Sequence, residues 1–397
     1  MIGSSWRSLL LAFPAMAILS TGAVRSAAAG AFQSNFPVAP VNIDLNGQQC
    51  PHIFERQQSD GGLIVAWTCK TPGGPWPSAL NFAELVGFIS PSLPISVVSS
   101  NDGDIFAFYA DNFQQVTVQR RLTNWAQVNL GNPAGGVADG PKAVAFTEGG
   151  IRKVAVFILA SYQSTYQLWM KVFHGDTGAF DADWTPLLYP GTSAQGLLRL
   201  AQVNVTVESD GVNPANVSAW AVGTNGVLYE NHGTVTGKRS WTPHSKSGQS
   251  ISQLRAGTSS VFANGATKTS VTVETSGAQM LTYTHFNGSD AWFGPITSGY
   301  NPFGAHGINP SNNRDLPTSV FIHQTSTTST DLWEESYDYL SGAGVTSRML
   351  FSGLDNLNAL PAGLFTETTG PEDVFILSNA GDLLLVTGGV LRNFRHP

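Results

Sequence analysis

The sequence predicts an all-β protein built as a seven-bladed β-propeller of four-stranded antiparallel blades. Three observations carry this: a turn-rich composition, a degenerate strand-and-turn unit recurring about every 50 residues, and a tryptophan that returns near the end of four copies. Of the 397 residues, 42% are hydrophobic and 12% charged, about half the charged share of an average soluble domain. Helical bundles, coiled coils and disordered chains draw on Lys, Glu and Ala, so a chain with 42 glycines and 10 tryptophans points elsewhere.

The clearest copy runs from Lys142 to Pro190. An apolar strand at 143–146 meets the turn Thr147-Glu148-Gly149-Gly150, and a second strand at 154–159 leads through a polar loop to a third at 166–173. His174-Gly175-Asp176-Thr177-Gly178 then turns the chain toward a short outer strand around Trp184. Four antiparallel strands in such a span are the unit of one propeller blade. Parts of the pattern return at 105–128, 217–243, 270–293, 318–334 and 373–386, and the hairpin between the two cysteines makes a seventh copy. Gly and Asn at the tight turns supply the positive φ that hairpins need. Trp125, Trp184, Trp241 and Trp292 recur at intervals of 59, 57 and 51 residues, which favours one ring over several domains. A pair of β-sandwiches uses the same strands and turns and is the alternative.

The first 29 residues read as a secretory signal peptide: Arg7 gives a positive flank, residues 9–19 an apolar run, and Ala27-Ala28-Ala29 a small-residue cleavage site. The run is shorter than the roughly 20 residues a transmembrane helix needs, and no other segment approaches that length. The expectation is a secreted protein, extracellular or periplasmic, whose residues 30–397 form a single propeller domain. In an oxidising compartment Cys50 and Cys69 pair as a disulfide. A hairpin centred between Ser59 and Asp60 places positions 50 and 69 opposite each other, within reach of a bridge. The formal charge of -7, with no block of like charges, excludes a phosphate-tracking nucleic-acid surface.

The copy at 142–190 resembles the β-propeller lectins, both the fucose-specific type and the related insect-pathogen type. The residues that carry the likeness are Val156-Phe157, Leu168-Trp169, Phe173-His174-Gly175 and Trp184. The resemblance implies sugar pockets between adjacent blades, with an aromatic face stacked on the apolar side of a pyranose and Arg and Glu taking its hydroxyls. Two copies keep the carboxylate of the fucose-type motif, at Leu228-Tyr229-Glu230 and Leu332-Trp333-Glu334, and both replace its Arg by an aromatic residue. The best copy has Met170 at the Glu position.

Catalytic and metal signatures are missing from the sequence. The eight histidines show no His-x-x-x-His or Glu-x-x-His pair, and Gly-x-Ser-x-Gly does not occur, so no metal, cofactor or catalytic residue is assigned. The expectation is a non-catalytic carbohydrate-binding protein whose partners are glycans or glycoconjugates, with homo-oligomers allowed. Trp169, Tyr229 and Trp333 are the candidate stacking residues, Glu230 and Glu334 the hydroxyl acceptors, and Trp184 and Trp241 the pocket walls. A propeller glycoside hydrolase or lyase, or a protein-binding scaffold, are the alternatives.

Overall fold

The computed structural model describes residues 38–394 apart from several segments, the longest being 188–202, 295–317 and 365–372. The expected signal peptide, 1–29, lies outside the described residues. All regular structure among the described residues is β, and the strands form seven antiparallel sheets. The first holds β1 (Ala39–Leu45), β2 (Gln48–Arg56), β3 (Leu63–Trp67) and β4 (Asn81–Leu85). The second holds β5 (Ser96–Ser99), β6 (Ile105–Ala110), β7 (Val116–Arg121) and β8 (Trp125–Gly131). The third holds β9 (Lys142–Glu148), β10 (Ile151–Tyr162), β11 (Thr165–His174), β12 (Ala179–Phe180) and β13 (Thr185–Leu187). The fourth holds β14 (Asn204–Glu208), β15 (Asn216–Val222), β16 (Leu228–Gly233) and β17 (Ser240–His244). The fifth holds β18 (Ile251–Val261), β19 (Thr267–Thr275), β20 (Met280–Phe286) and β21 (Ser289–Phe293). The sixth holds β22 (Thr318–Gln324), β23 (Ser329–Tyr337) and β24 (Val345–Asp355), and the seventh β25 (Ala362–Leu364), β26 (Asp373–Leu377), β27 (Leu383–Thr387) and β28 (Val390–Phe394).

Apart from β13, which pairs β11, every sheet is a simple meander in chain order, with neighbours joined by local connections. Two-residue turns set several registers. Asn46 and Gly47 sit at φ 55° and 78° between the paired residues Leu45 and Gln48, and Gly149 and Gly150 at 58° and 76° between Glu148 and Ile151. Positive φ at both central positions matches the right-handed twist of the flanking strands.

Two sheets depart from the expected four strands. The outer edge of the third is split, with β12 and β13 both pairing β11. Between them the Asp181 carboxylate accepts from the Val172 backbone N–H at 3.0 Å, so a side chain replaces the strand partner there and the ladder breaks. The sixth sheet has three strands among the described residues.

The strands of the first, second, third, fourth and seventh sheets are apolar on both faces because each of these sheets packs against two others. Phe54, Leu63 and Val65 of the first sheet share a core with Ile105, Ala107 and Tyr109 of the second. Comparable cores join second to third, third to fourth, and fourth to fifth sheets. The sixth and seventh sheets share Leu332, Leu354, Val374 and Ile376. The seventh also packs on the first through Ile53, Ile64, Phe375 and Leu385. Here Trp76 Nε1 donates to Asp373 Oδ1 at 3.1 Å and Arg392 donates to the Trp76 carbonyl at 3.2 Å, tying the first sheet to the seventh. Cys50 and Cys69 form a disulfide, with Cα atoms 4.1 Å apart, as the hairpin register predicts.

Candidate functional site

The recurring tryptophans define a set of related positions. Residues directly opposite on antiparallel strands point to the same face. Trp125 lies opposite Arg121, Trp241 opposite Asn231, and Trp292 opposite Tyr283. Trp184 directly precedes β13 and extends its register to Lys171, whose Nζ lies 5.5 Å from the indole centroid. All four tryptophans are half-buried and lean on the core shared with the preceding sheet. Each of these seams therefore combines an indole with one polar-tipped side chain, and that side chain differs every time.

The seam between the fourth and fifth sheets is the richest in polar chemistry. Glu230 on β16 is 17% exposed; its Oε1 accepts from Ser218 Oγ at 2.6 Å and its Oε2 lies 3.0 Å from His244 Nε2. The His244 ring stacks at a tilt on Tyr283 at 4.4 Å, Trp220 closes on both at 5.5 and 5.6 Å, and Trp292 meets Tyr283 edge-on at 5.2 Å. On the rim, His285 Nδ1 lies 2.6 Å from Asp290 Oδ1, with both side chains exposed.

Burial opposes ionisation of Glu230, but the hydrogen bonds from His244 and Ser218 and the positive potential of the histidines outweigh it and hold the carboxyl below its ordinary value. Asp290 is depressed in the same way, its modest desolvation overcome by His285 and Tyr283. Burial and the nearby Asp290 push the Tyr283 phenol up, so it stays a neutral donor. Two carboxylates beside an aromatic wall form an acceptor-rich surface suited to hydroxyl groups.

The sequence-predicted residues divide between different seams. Tyr229 and Glu230 are neighbours on β16, and strand alternation sends them to opposite faces. Glu230 shares the face of Leu228, toward the fifth sheet, whereas Tyr229 is buried on the other face with its hydroxyl accepting from Asn225 Nδ2 at 2.9 Å. Tyr229 and Glu230 therefore face different seams. Trp333 and Glu334 are neighbours on β23. Trp333 is half-buried, and the Glu334 side chain lies outside the described residues. Trp169 is buried in the core between the second and third sheets, which leaves little ring face for a ligand. Trp184 and Trp241 keep partly open faces.

His244, Tyr283 and Asp290 were not legible as site residues. Their only sequence signal is the alternation of β20, which puts Tyr283 on the face that Trp292 covers. Among the described residues no group of three or more His, Cys, Asp or Glu has the spacing of a metal site.

No protein-family model matches the chain, and no curated protein matches it in sequence. Solved structures do match. The BP39L lectin from Burkholderia pseudomallei is similar with a TM-score of 0.63 at 16% identity, over 91% of this chain and 99% of that one. The SapL1 lectin, solved with α-methyl fucoside, gives 0.51 at 16% identity over 81% and 98%. An ulvan lyase of the PL25 polysaccharide lyase family gives 0.57 at 11% identity over 94% and 97%. At these identities the likeness shows the fold, and the chain has the propeller architecture of the lectins that residues 142–190 resemble.

Proposed function

We propose that the chain is a secreted, seven-bladed propeller that binds carbohydrate without altering it, at seams between adjacent blades. In this reading each sheet is one blade, and contact of the fifth with the sixth completes the ring that the first and seventh already join. The observation that carries the proposal is the fourth-to-fifth seam. Its half-buried Glu230 is held ionised by two donors and stands beside the Tyr283–Trp292 pair. A pyranose has a C–H-rich face and a fringe of hydroxyls; the indole suits the first and the carboxylates of Glu230 and Asp290 suit the second.

Trp184 and Trp241 serve as walls of the neighbouring seams, and Trp333 and Glu334 take the stacking and hydroxyl-accepting roles in the sixth sheet. Trp169 and Tyr229 support these sites from beneath. Several weak sites on one rigid ring facing a glycan-coated surface raise avidity by roughly 10²–10⁴.

The test is a glycan array with the mature protein, followed by calorimetry of the best ligand. Glu230→Gln and Trp292→Ala are each expected to weaken binding at this seam about tenfold. An array without signal, backed by no calorimetric binding of any sugar at millimolar concentration, would sink the proposal. Product analysis after incubation separates it from the hydrolase and lyase readings, since binding alone returns each glycan intact.

A further inference from the structure

The seam between the first and second sheets carries the opposite charge. Arg121, the last residue of β7, points at β2, and its Nη1 lies 3.1 Å from Nε2 of His52. His52 Nδ1 is 2.9 Å from the Cys50 carbonyl oxygen. A carbonyl only accepts, so Nδ1 carries the proton and Nε2 is left as the acceptor for the guanidinium. The imidazole is 2% exposed, and burial together with the Arg121 charge lowers its pKa to about 4 against the raising effect of the Cys50 bond. The ring is therefore neutral near pH 7.

The group that orients Arg121 thus cancels none of its charge. This is the one hydrogen bond of the Arg121 side chain among the described residues, and no carboxylate pairs with it. Its neighbours differ: Arg120 and Arg152 share the Asp104 carboxylate at 3.3 and 3.0 Å, and Lys153 pairs with Glu148 at 3.2 Å. A half-buried cation without a counterion is held at an energetic cost. An anion arriving from solvent would remove that cost.

The surroundings suit a sugar that bears such an anion. Trp67 stacks parallel to His52, with centroids 6.3 Å apart, and Trp125 lies directly opposite Arg121. Both indoles are half-buried on the core that the first and second sheets share, the same face as the Arg121–His52 pair. The Cys50–Cys69 bridge lies two residues from the His52–Trp67 pair and holds that register.

We propose that this seam binds an anionic substituent of a saccharide, a carboxylate or a sulfate ester, on Arg121, with the sugar ring against Trp67 and Trp125. The fork of guanidinium donors matches the paired oxygens of either group. The proposal rests on the carbohydrate-binding reading but uses a different seam.

The experiment is calorimetry on the full mature chain with glucose, glucuronate, glucose 6-sulfate and inorganic sulfate, at low and high salt. At least one acidic sugar is expected to bind about tenfold or more tightly than glucose, and more weakly as salt rises. Arg121→Gln should reduce that affinity to the level of glucose, and Arg121→Lys should retain part of it. Preference for glucuronate alone assigns a carboxylate site; preference for the sulfate ester assigns a sulfate site. The proposal is overturned if neither acidic sugar exceeds glucose, if Arg121→Gln changes nothing, or if inorganic sulfate binds as tightly as glucose 6-sulfate. Should Arg121→Gln not fold, the salt dependence and Arg121→Lys decide. Neutral-sugar binding that disappears in Glu230→Gln reports on the other seam, so each reading fails separately.

Discussion

Lys171 and Trp184 of the third sheet donate to one acceptor, the carbonyl oxygen of Leu130 in the second, each at 3.0 Å. Leu130 lies on outer strand β8, so this shared acceptor ties the rims of two neighbouring sheets together. Trp184 thus fastens the seam between the second and third sheets.

Trp184→Phe keeps most of the ring and removes the N–H, so it should cost about 1 kcal/mol. Trp184→Ala also loses the packing against the second sheet and should cost about 2–4 kcal/mol. Lys171→Met combined with Trp184→Phe should deviate from additivity, because both side chains answer to the same oxygen. Urea denaturation of the four proteins measures these differences, and strict additivity would show that the shared acceptor does not couple them.

The disulfide closes a loop with a sequence separation of 19. Its removal in a Cys50→Ala/Cys69→Ala variant should cost about 2–4 kcal/mol. The effect should reach function at the first seam, since the bridge holds the register of His52 opposite Trp67. A chemical melt with and without reductant gives the stability, and titration of the acidic sugar gives the second consequence.

Glu230 predicts a pH dependence with a definite sign. Its carboxyl is more acidic in the fold than the ordinary 4.5, so the stability it contributes is fully present above that value. That contribution is lost as pH falls below 4.5 and through the folded value. Sugar binding at its seam depends on the folded protein alone, so it should persist to pH 4.5 and fall only as pH drops through the folded value. His244→Phe removes one of the two donors and should move the loss of binding to higher pH, which titrations at several pH values would read.

His52 acts in a different window. Its pKa falls from 6.5 to about 4 on folding, so the unfolded chain binds more protons between those values and stability declines as pH drops across them. The full decline amounts to about 3 kcal/mol at most. His52→Gln should flatten the difference in urea midpoint between pH 7 and pH 4.5; an unchanged difference would mean that other groups cause it.

The strands and turns were largely legible because their signals are local. Alternation, a tight Gly-Gly or Asn-Gly turn and a returning tryptophan sit within a few residues of one another, and the hairpin arithmetic that opposed Cys50 to Cys69 depends on one turn. The split edge of the third sheet escaped because a single carboxylate, Asp181, replaces a strand partner, and composition carries no trace of that substitution.

The sequence by itself determined an all-β repeat with indoles at regular intervals and one cysteine bridge. It also singled out Glu230 as a carboxylate in a strand. Which residues share a site was decided only by the tertiary structure. A seam is lined by two sheets whose strands lie dozens of residues apart, so Glu230 meets Tyr283 and Arg121 meets His52 only after the sheets pack. Adjacent residues such as Tyr229 and Glu230, close in sequence, end on opposite faces of one strand because the pleat alternates.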